Sequence, residues 1–151
     1  MDGWVSNPEI NESNSSTIST QQAVDGPAWM AAYSVTMLHM ALQLALADPV
    51  YEDAACKFLD TFIDLADVMT NMSDGLGFWD STDGFYYDHL KYDDGTTSQL
   101  RVRSMVGLVP LIACFLVDDE YIEKLPVFRK RLRWFVENRS DLPSKVLCLR
   151  M

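Results

Sequence analysis

Two kinds of segment alternate along this chain, one apolar on nearly all sides and one amphipathic. Each segment is long enough to form a helix. Over residues 25–47 hydrophobic residues nearly encircle the predicted helix, which opens on the motif DGP and is stopped by Asp48-Pro49. A proline in the first turn behind an acidic residue is typical of a helix start. One face of this helix would carry Trp29, Tyr33, Met37, Met40 and Leu44. A helix that is apolar all round is buried on several sides.

The next helix, predicted from about residue 50 to residue 72, is amphipathic. Its apolar stripe consists of Tyr51, Ala55, Phe58, Leu59, Phe62, Leu65, Ala66 and Met69. Its charged residues, which include Glu52, Asp53 and Lys57, lie mostly off that stripe. This pattern is typical of a surface helix. The short connection between the two segments predicts a helical hairpin.

The second half of the chain repeats this order of an apolar segment followed by an amphipathic one. Residues 104–117 form an apolar run in which Pro110 marks a kink or the true helix start. A short acidic helix or turn at 118–124 precedes a last amphipathic helix from Pro126. Alternating buried and surface helices predict a mainly α fold, a segment of a double-layered α/α toroid. A compact four-helix bundle is the alternative.

Residues 77–107 interrupt the helices with a polar and aromatic stretch that glycines punctuate. Phe85-Tyr86-Tyr87 favours a strand, Asp93-Asp94-Gly95 favours a tight turn, and residues 99–102 could form the return strand. The sequence therefore predicts a small β-hairpin insertion that projects from the helical layer.

This stretch holds the side chains with which proteins bind sugars, namely aromatic rings for C–H faces and charged groups for hydroxyls. The candidate substrate-binding residues are Trp79, Asp80, Asp83, Tyr86, Tyr87, Asp88, Arg101 and Arg103. Structural roles compete with this interpretation, because a ring can belong to the core, an aspartate can cap a turn, and an arginine can pair with that aspartate. We interpret the stretch as one wall of a carbohydrate site.

Calcium is a second interpretation of the same segment. Asp80-Ser81-Thr82-Asp83-Gly84 offers hard oxygen ligands, with Asp88 nearby. The segment lacks the alternating spacing and terminal glutamate of an EF-hand loop. The sequence therefore predicts no metal and no cofactor.

Composition narrows the possible partners. The 151 residues are 48% apolar and carry a net charge of −10, which argues against a nucleic-acid partner. With only two histidines, far apart in the sequence, a histidine-rich metal site is excluded and a Ser-His-Asp triad is disfavoured. Polar residues within 25–47, such as His39 and Gln43, argue against a membrane span.

Three cysteines and an N-terminus without a signal-peptide pattern predict a cytoplasmic protein with reduced thiols. Residues 1–22 are rich in Ser, Asn and Thr and are expected to be disordered. The predicted domain covers residues 23–142, and residues 143–151 form an irregular tail.

Several ordered blocks carry a family resemblance over residues 22–142. GFWDSTDGFYYDHL followed by LRVRSMVGLVPLIA resembles the C-terminal catalytic domain of glycoside hydrolase family 63-like proteins, a group that includes mannosylglycerate hydrolase-like enzymes. DGPAWMAAYSVTMLHMALQLA, PVYEDAACKFLDTFI and LPVFRKRLRWFVENR are similar to the same family in the same order. The resemblance implies an (α/α)6 barrel of the six-hairpin glycosidase type and inverting hydrolysis of an α-glycosidic bond.

Inverting hydrolysis uses two carboxyl groups, one as general acid and one as general base. The resemblance implies that Asp25, which precedes an inner helix, is the candidate general acid. Helix stabilisation is the alternative role, because a helix N-terminus favours a charged carboxylate whereas a general acid must hold its proton. The family block usually reads DGTAW, so Pro27 departs from it.

The chain supplies about two of the six hairpins, and the block that would hold the general base is not found in it. The sequence therefore predicts a partial, inverting α-glycosidase of the glucosidase or mannosylglycerate hydrolase type, which contributes part of a sugar pocket. A non-catalytic α-helical carbohydrate-binding or protein-interaction module is the alternative. The apolar edges of an incomplete ring would favour self-association.

Overall fold

The computed structural model describes residues 17–70 and 77–138 of the chain. Its α-helices are α1 (Asp25–Ala47), α2 (Glu52–Thr70), α3 (Asp119–Lys124) and α4 (Pro126–Asn138). Two 3-10 helices cover Pro49–Tyr51 and Met105–Ile112. The strands are β1 (Ile18–Gln22), β2 (Trp79–Asp80), β3 (Phe85–Tyr86), β4 (Asp88–Tyr92) and β5 (Thr97–Leu100). The predicted mainly α fold is confirmed, since 62% of the described residues are helical.

Helices α1 and α2 form the predicted hairpin, and both bury residues at alternating spacings of three and four. On α1 the buried seam is Ala28, Ala31, Val35, Leu38, Leu42 and Ala45. On α2 it is Glu52, Ala55, Leu59, Phe62, Ala66 and Met69. This repeat keeps one stripe of each helix facing the other along their whole length. The hydroxyl of Ser34 adds a cross-link by donating to the carbonyl oxygen of Phe58 at 2.8 Å.

Helices α3 and α4 pack against the end of the hairpin where α1 finishes and α2 begins. Tyr121, Phe128, Leu132 and Phe135 join the core there, and the predicted apolar face of α4 is thus confirmed. Glu52 is 6% exposed, and its Oε1 accepts hydrogen bonds from the backbone N–H groups of Val127 at 2.6 Å and Phe128 at 2.8 Å. The first residue of α2 therefore caps α4, although the sequence pattern placed Glu52 among surface charges.

The apolar run at 104–117 was expected to be a second buried helix, but the structure contains a 3-10 helix over Met105–Ile112. Pro110 lies inside it, where it cannot donate to a ladder of α-helical hydrogen bonds. Gly107 is packed so closely that a Cβ atom there would lie 2.2 Å from Cε1 of Phe85 and 2.5 Å from the carbonyl oxygen of Tyr86. This segment is a connector pressed onto β3, and much of its apolar surface stays exposed.

The predicted hairpin insertion is confirmed in kind, with small shifts in its bounds. Strands β4 and β5 are antiparallel and flank the predicted turn, in which Gly95 adopts a φ of 83°. Strands β2 and β3 form a second, shorter ladder.

Strand β1 pairs with β4 and completes a three-stranded sheet in the order β1-β4-β5. The expectation of disorder as far as residue 22 is therefore wrong for Ile18–Gln22. The segment has too few apolar residues to order itself, but it gains backbone hydrogen bonds from a strand about 70 residues later. Composition alone cannot reveal such a partner. The rest of that expectation (residues 1–16) and the irregular tail at 143–151 lie outside the described residues.

The burial of α1 also differs from the prediction. Its face opposite the seam is open, with Trp29, Met30, Tyr33, Met37, Met40 and Leu44 between 42% and 63% exposed. The sequence predicts burial on several sides because these positions are apolar. Helices α2 and α3 and the two 3-10 helices pack on α1. Within residues 17–70 and 77–138, these neighbours leave that face uncovered.

Candidate functional site

A cavity of about 130 Å³ lies where the strands meet the 3-10 helix Met105–Ile112. Its lining residues are Tyr86, Asp88, Leu100, Val102, Ser104, Val106 and Gly107. Tyr86 and Asp88 belong to the predicted carbohydrate site. The remaining lining residues come from the segment that runs from β5 into the 3-10 helix. The cavity thus combines one carboxylate, one phenol and an apolar wall, but its volume is below the roughly 300–1,000 Å³ of a typical small-molecule site, so it can hold only part of a ligand.

Asp88 is held in place by the segment that leads into α1. Its Oδ1 accepts a hydrogen bond from the backbone N–H of Val24 at 2.9 Å, and its Oδ2 accepts one from Nε2 of Gln21 at 3.2 Å. These bonds bring the carboxylate next to the first turn of α1, where Asp25 is the first helical residue. The carboxylate of Asp88 therefore contacts the backbone of the residue that precedes Asp25, although the two aspartates are far apart in the sequence.

Asp25 itself is partly exposed. The residue before it, Val24, occupies the N-cap position, and its own side chain makes no capping hydrogen bond. The alternative role for Asp25 in stabilising the helix is thus limited to an interaction with the helix dipole.

Asp80 organises the β2–β3 turn. It is 8% exposed, and its Oδ1 accepts hydrogen bonds from the backbone N–H groups of Thr82 at 2.8 Å and Asp83 at 2.9 Å. Its Oδ2 receives Nη2 of Arg101 at 2.8 Å. The hydrogen bond from the backbone of Asp83 is the main cause that lowers the pKa of Asp80, and those from Thr82 and the charge of Arg101 act in the same direction. The turn-capping role anticipated for this aspartate is confirmed.

Asp83 links the remaining polar candidates. Its Oδ2 accepts the hydroxyl proton of Tyr87 at 2.9 Å, and its Oδ1 lies 3.4 Å from Nη2 of Arg103. Nε of Arg103 donates to the Tyr87 hydroxyl at 3.2 Å. Tyr87 is 2% exposed, so its ring belongs to the core. Arg101 and Arg103 are more than 60% exposed, and their guanidinium groups can also reach a ligand from the solvent.

Trp79 and Tyr86 form the exposed aromatic part of the site. Their ring centroids are 4.9 Å apart at an interplanar angle of 61°, an edge-to-face contact. Trp79 is 37% exposed, whereas Tyr86 is half-buried, and burial raises the pKa of its phenol. Tyr86 therefore stays protonated at neutral pH, and it is one of the residues that line the cavity.

The structure divides the predicted residues into two neighbouring groups. Tyr86 and Asp88 line the cavity, with Trp79 against Tyr86, whereas Asp80, Asp83, Tyr87, Arg101 and Arg103 form an ion-pair and hydrogen-bond network at the β2–β3 turn. Sequence reasoning missed Gln21, Ser104 and Gly107. The lone glycine inside an apolar run was the one available signal, because it marks a close backbone approach.

The carboxylates of the turn are already bound to donors of this chain. Both oxygens of Asp80 accept hydrogen bonds, and Asp83 faces Tyr87, Arg101 and Arg103. In residues 17–70 and 77–138, no group of three or more His, Cys, Asp or Glu side chains is arranged to hold a metal ion. The calcium interpretation gains no support from this geometry.

His89 lies beneath the site, on the β4 strand. It is fully buried and stacks on Phe78, with ring centroids 5.3 Å apart. Neither ring nitrogen has a hydrogen-bond partner within the part of the chain that is described. Burial lowers the pKa of His89, and the nearby Asp88 opposes that shift.

One helix among the described residues, α1, has the length and apolar composition of a membrane span. The core helix of a water-soluble protein passes the same test, so the finding is weak evidence for a span.

Comparisons with known proteins link the chain to one relative. It is 38% identical, over 135 residues, to an uncharacterised protein of Saccharomyces cerevisiae, YMR196W. The alignment covers 82% of this chain and 12% of the yeast protein, so the chain spans about an eighth of the length of that relative. No family model and no solved structure matches the chain.

Proposed function

We propose that this chain forms part of a sugar-binding pocket in a glycoside hydrolase of the family 63-like type, as a segment of an (α/α)6 toroid. The observation that carries the proposal is the cavity lined by Tyr86 and Asp88, with Trp79 beside it. A carboxylate and a phenol can bind hydroxyl groups, and an exposed indole can stack on the apolar face of a sugar ring. The resemblance of the ordered sequence blocks supplies the family.

Two further facts support the proposal that this chain is one segment of a larger ring of helices. Helix α1 is apolar on the face opposite its seam, as an inner helix with neighbours on both sides requires. The yeast relative contains a similar segment as 12% of its length. Both facts fit a chain of this kind within a larger ring of helices.

Sugar binding can be tested by two-dimensional ¹H–¹⁵N NMR during titration with glucose, mannose and an α-linked glucose disaccharide. We expect saturable shifts confined to the amides of 79–107 and of the α1 start. Trp79→Ala and Asp88→Asn should each weaken binding at least about tenfold, about 1.4 kcal/mol. Trp134→Ala and Asp93→Asn remove an exposed indole and an exposed carboxylate elsewhere and should leave binding unchanged. Shifts that never saturate, or equal losses in all four variants, would contradict the proposal.

For catalysis, we propose Asp25 as the general acid, by the family resemblance, and we note that the preceding residue, Val24, donates its backbone N–H to Asp88. The general base is expected from a part of the ring that this chain does not supply. The chain alone should therefore bind sugars without releasing monosaccharide from α-linked disaccharides, because loss of one of the two groups costs about 10²–10⁴-fold in rate. Measurable hydrolysis that Asp25→Asn abolishes would instead assign both catalytic groups to this chain.

The alternative is a non-catalytic helical module that binds carbohydrate or another protein. The open apolar face of α1 favours the protein-binding form of this alternative, because a helix of this length with uncovered Trp, Tyr and Met side chains is a typical recognition surface.

We propose the cytoplasm as the location of the protein. Cys56 and Cys114 are free thiols. Burial, followed by the charges of Glu52, Asp60 and Asp53, raises the pKa of Cys56 to about 11. That thiol therefore stays protonated and unreactive at neutral pH. Cell fractionation with an antibody against the chain tests the location, and recovery in the membrane pellet would contradict it.

A further inference from the structure

The most unusual surface of the molecule is the outer face of α1, which we define as Trp29, Met30, Tyr33, Met37, Met40 and Leu44. These residues occupy the positions opposite the buried seam, where a surface helix normally carries charge. Asp25 is the only Asp, Glu, Lys or Arg in α1. Each residue of the outer face is between 42% and 63% exposed.

The area of this face compares with that of a stable interface. Large side chains of about 200 Å², exposed by about half, give roughly 600 Å² for the six residues. The neighbouring 3-10 helix, which packs beside α1, exposes Leu108, Leu111 and Ile112 as well. The largest apolar patch on a typical monomer is about 300–600 Å². Each partner in a standard stable complex buries about 800 Å².

We propose that, wherever no further helix of a ring covers it, the outer face of α1 binds the same face of a second copy of this chain, to form a symmetric dimer. A twofold pairing covers both open faces at once, and each copy presents the self-complementary surface that such an interface needs. None of these six residues carries a charge, so the pairing buries no charged side chain of this face.

The spacing of the side chains fits this pairing. Trp29, Tyr33 and Met37 form one ridge at intervals of four, and Met40 and Leu44 extend a parallel ridge. Identical ridges of this kind interdigitate when two helices cross at about −50°. The unbranched methionines can adapt their shape to the opposing ridge.

Size-exclusion chromatography with light scattering tests the proposal on the full chain. We expect a dimer at micromolar concentration, and the double variant Tyr33→Lys with Met37→Lys should weaken association at least about a hundredfold. The matched control is Val50→Lys with Val68→Lys, which places the same charges at two exposed apolar sites off this face. It should remain dimeric. A monomeric wild-type chain, or an equal effect of both double variants, would overturn the proposal.

A second measurement does not depend on the folding of a charged variant. A photo-crosslinking amino acid at position 33 should give a covalent dimer, whereas the same group at position 68 should not. Flotation with phosphatidylcholine vesicles tests whether the outer face binds a membrane surface instead of a second copy. A chain that floats with vesicles and gives no crosslink from position 33 would assign the outer face to a membrane surface and would overturn the dimer.

Discussion

Helices α1 and α2 pack together along one seam, but the residues on their outer faces differ in polarity. Both bury residues at spacings of three and four. Opposite the seam, α2 carries Asp53, Lys57, Asp60, Asp64 and Asp67, whereas α1 carries tryptophan, tyrosine, methionine and leucine. The seam residues hold the two helices together, and the outer residues determine whether each helix faces solvent or another protein surface. One helix is suited to water and the other to a further protein surface.

The largest effects are expected at the seam, where the same leucine-to-alanine substitution should lower the free energy of unfolding by a similar amount in either helix. Leu38 and Leu59 are 0% and 2% exposed, so Leu38→Ala and Leu59→Ala should each lower the free energy of unfolding by about 2–5 kcal/mol. Leu44→Ala on the outer face of α1 should cost far less in the monomer. Urea denaturation at low protein concentration measures all three. A cost for Leu44→Ala that equals the seam values would mean that the outer face is already packed within one chain.

The first residues of the two helices, Asp25 and Glu52, differ in their burial and in their hydrogen bonds. Glu52 is buried and caps α4 through two backbone N–H groups, whereas Asp25 is partly exposed. Glu52→Ala should destabilise the chain by about 2–3 kcal/mol, because one buried and one partly buried backbone N–H lose their acceptor. Asp25→Ala should change stability by less than about 0.5 kcal/mol. Thermal unfolding followed by circular dichroism checks both, and equal losses would remove the distinction.

A smaller effect is expected in mild acid, and it arises outside the hairpin. Burial lowers the pKa of His89 below its ordinary 6.5, so below that pH the unfolded chain binds a proton that the folded chain resists. The stability contributed by neutral His89 is complete above about pH 6.5 and is lost as the pH falls further. Urea midpoints between about pH 7 and pH 5 measure this slope. His89→Phe should flatten it, whereas His39→Asn, at an exposed position, should not.

The smallest effect belongs to the charged outer face of α2. Lys57 pairs with Asp53 at 2.9 Å, and both side chains are at least 75% exposed. Lys57→Ala should therefore cost less than about 0.5 kcal/mol, and added salt should reduce that cost. Urea denaturation at two salt concentrations checks it. A larger loss would show that the water-facing side of α2 has a structural role.

Local patterns predicted most of this fold. The helix bounds at Ala47 and Pro126, the hairpin turn at Gly95 and the apolar face of α4 follow from residues near in sequence. Strand β1 could not be predicted, because its hydrogen-bond partner lies in β4. The outer face of α1 was recognised as apolar, but its exposure depends on which neighbours are present, and helical periodicity alone does not reveal them.

The candidate site was predicted as a set of residues but not as an arrangement. Aromatic and charged types in one stretch indicated Tyr86 and Asp88 without showing that they share a cavity. The turn-capping role of Asp80 could be weighed in advance because its donors lie two and three residues away. The contact of Asp88 with Val24 spans 64 residues and has no local signal.

The pairing of β1 with β4 also has a consequence for the order of assembly. These strands enclose the whole α1–α2 hairpin in one loop, with Gln22 opposite His89. A helical hairpin forms from contacts that are near in sequence, whereas joining two strands about 70 residues apart requires a long loop to close. We therefore expect the helices to form first and β1 to join the sheet last. In hydrogen exchange, the amide hydrogens of β1 should exchange much faster than those of the seam. The strand would then stabilise a helical hairpin that has formed before it.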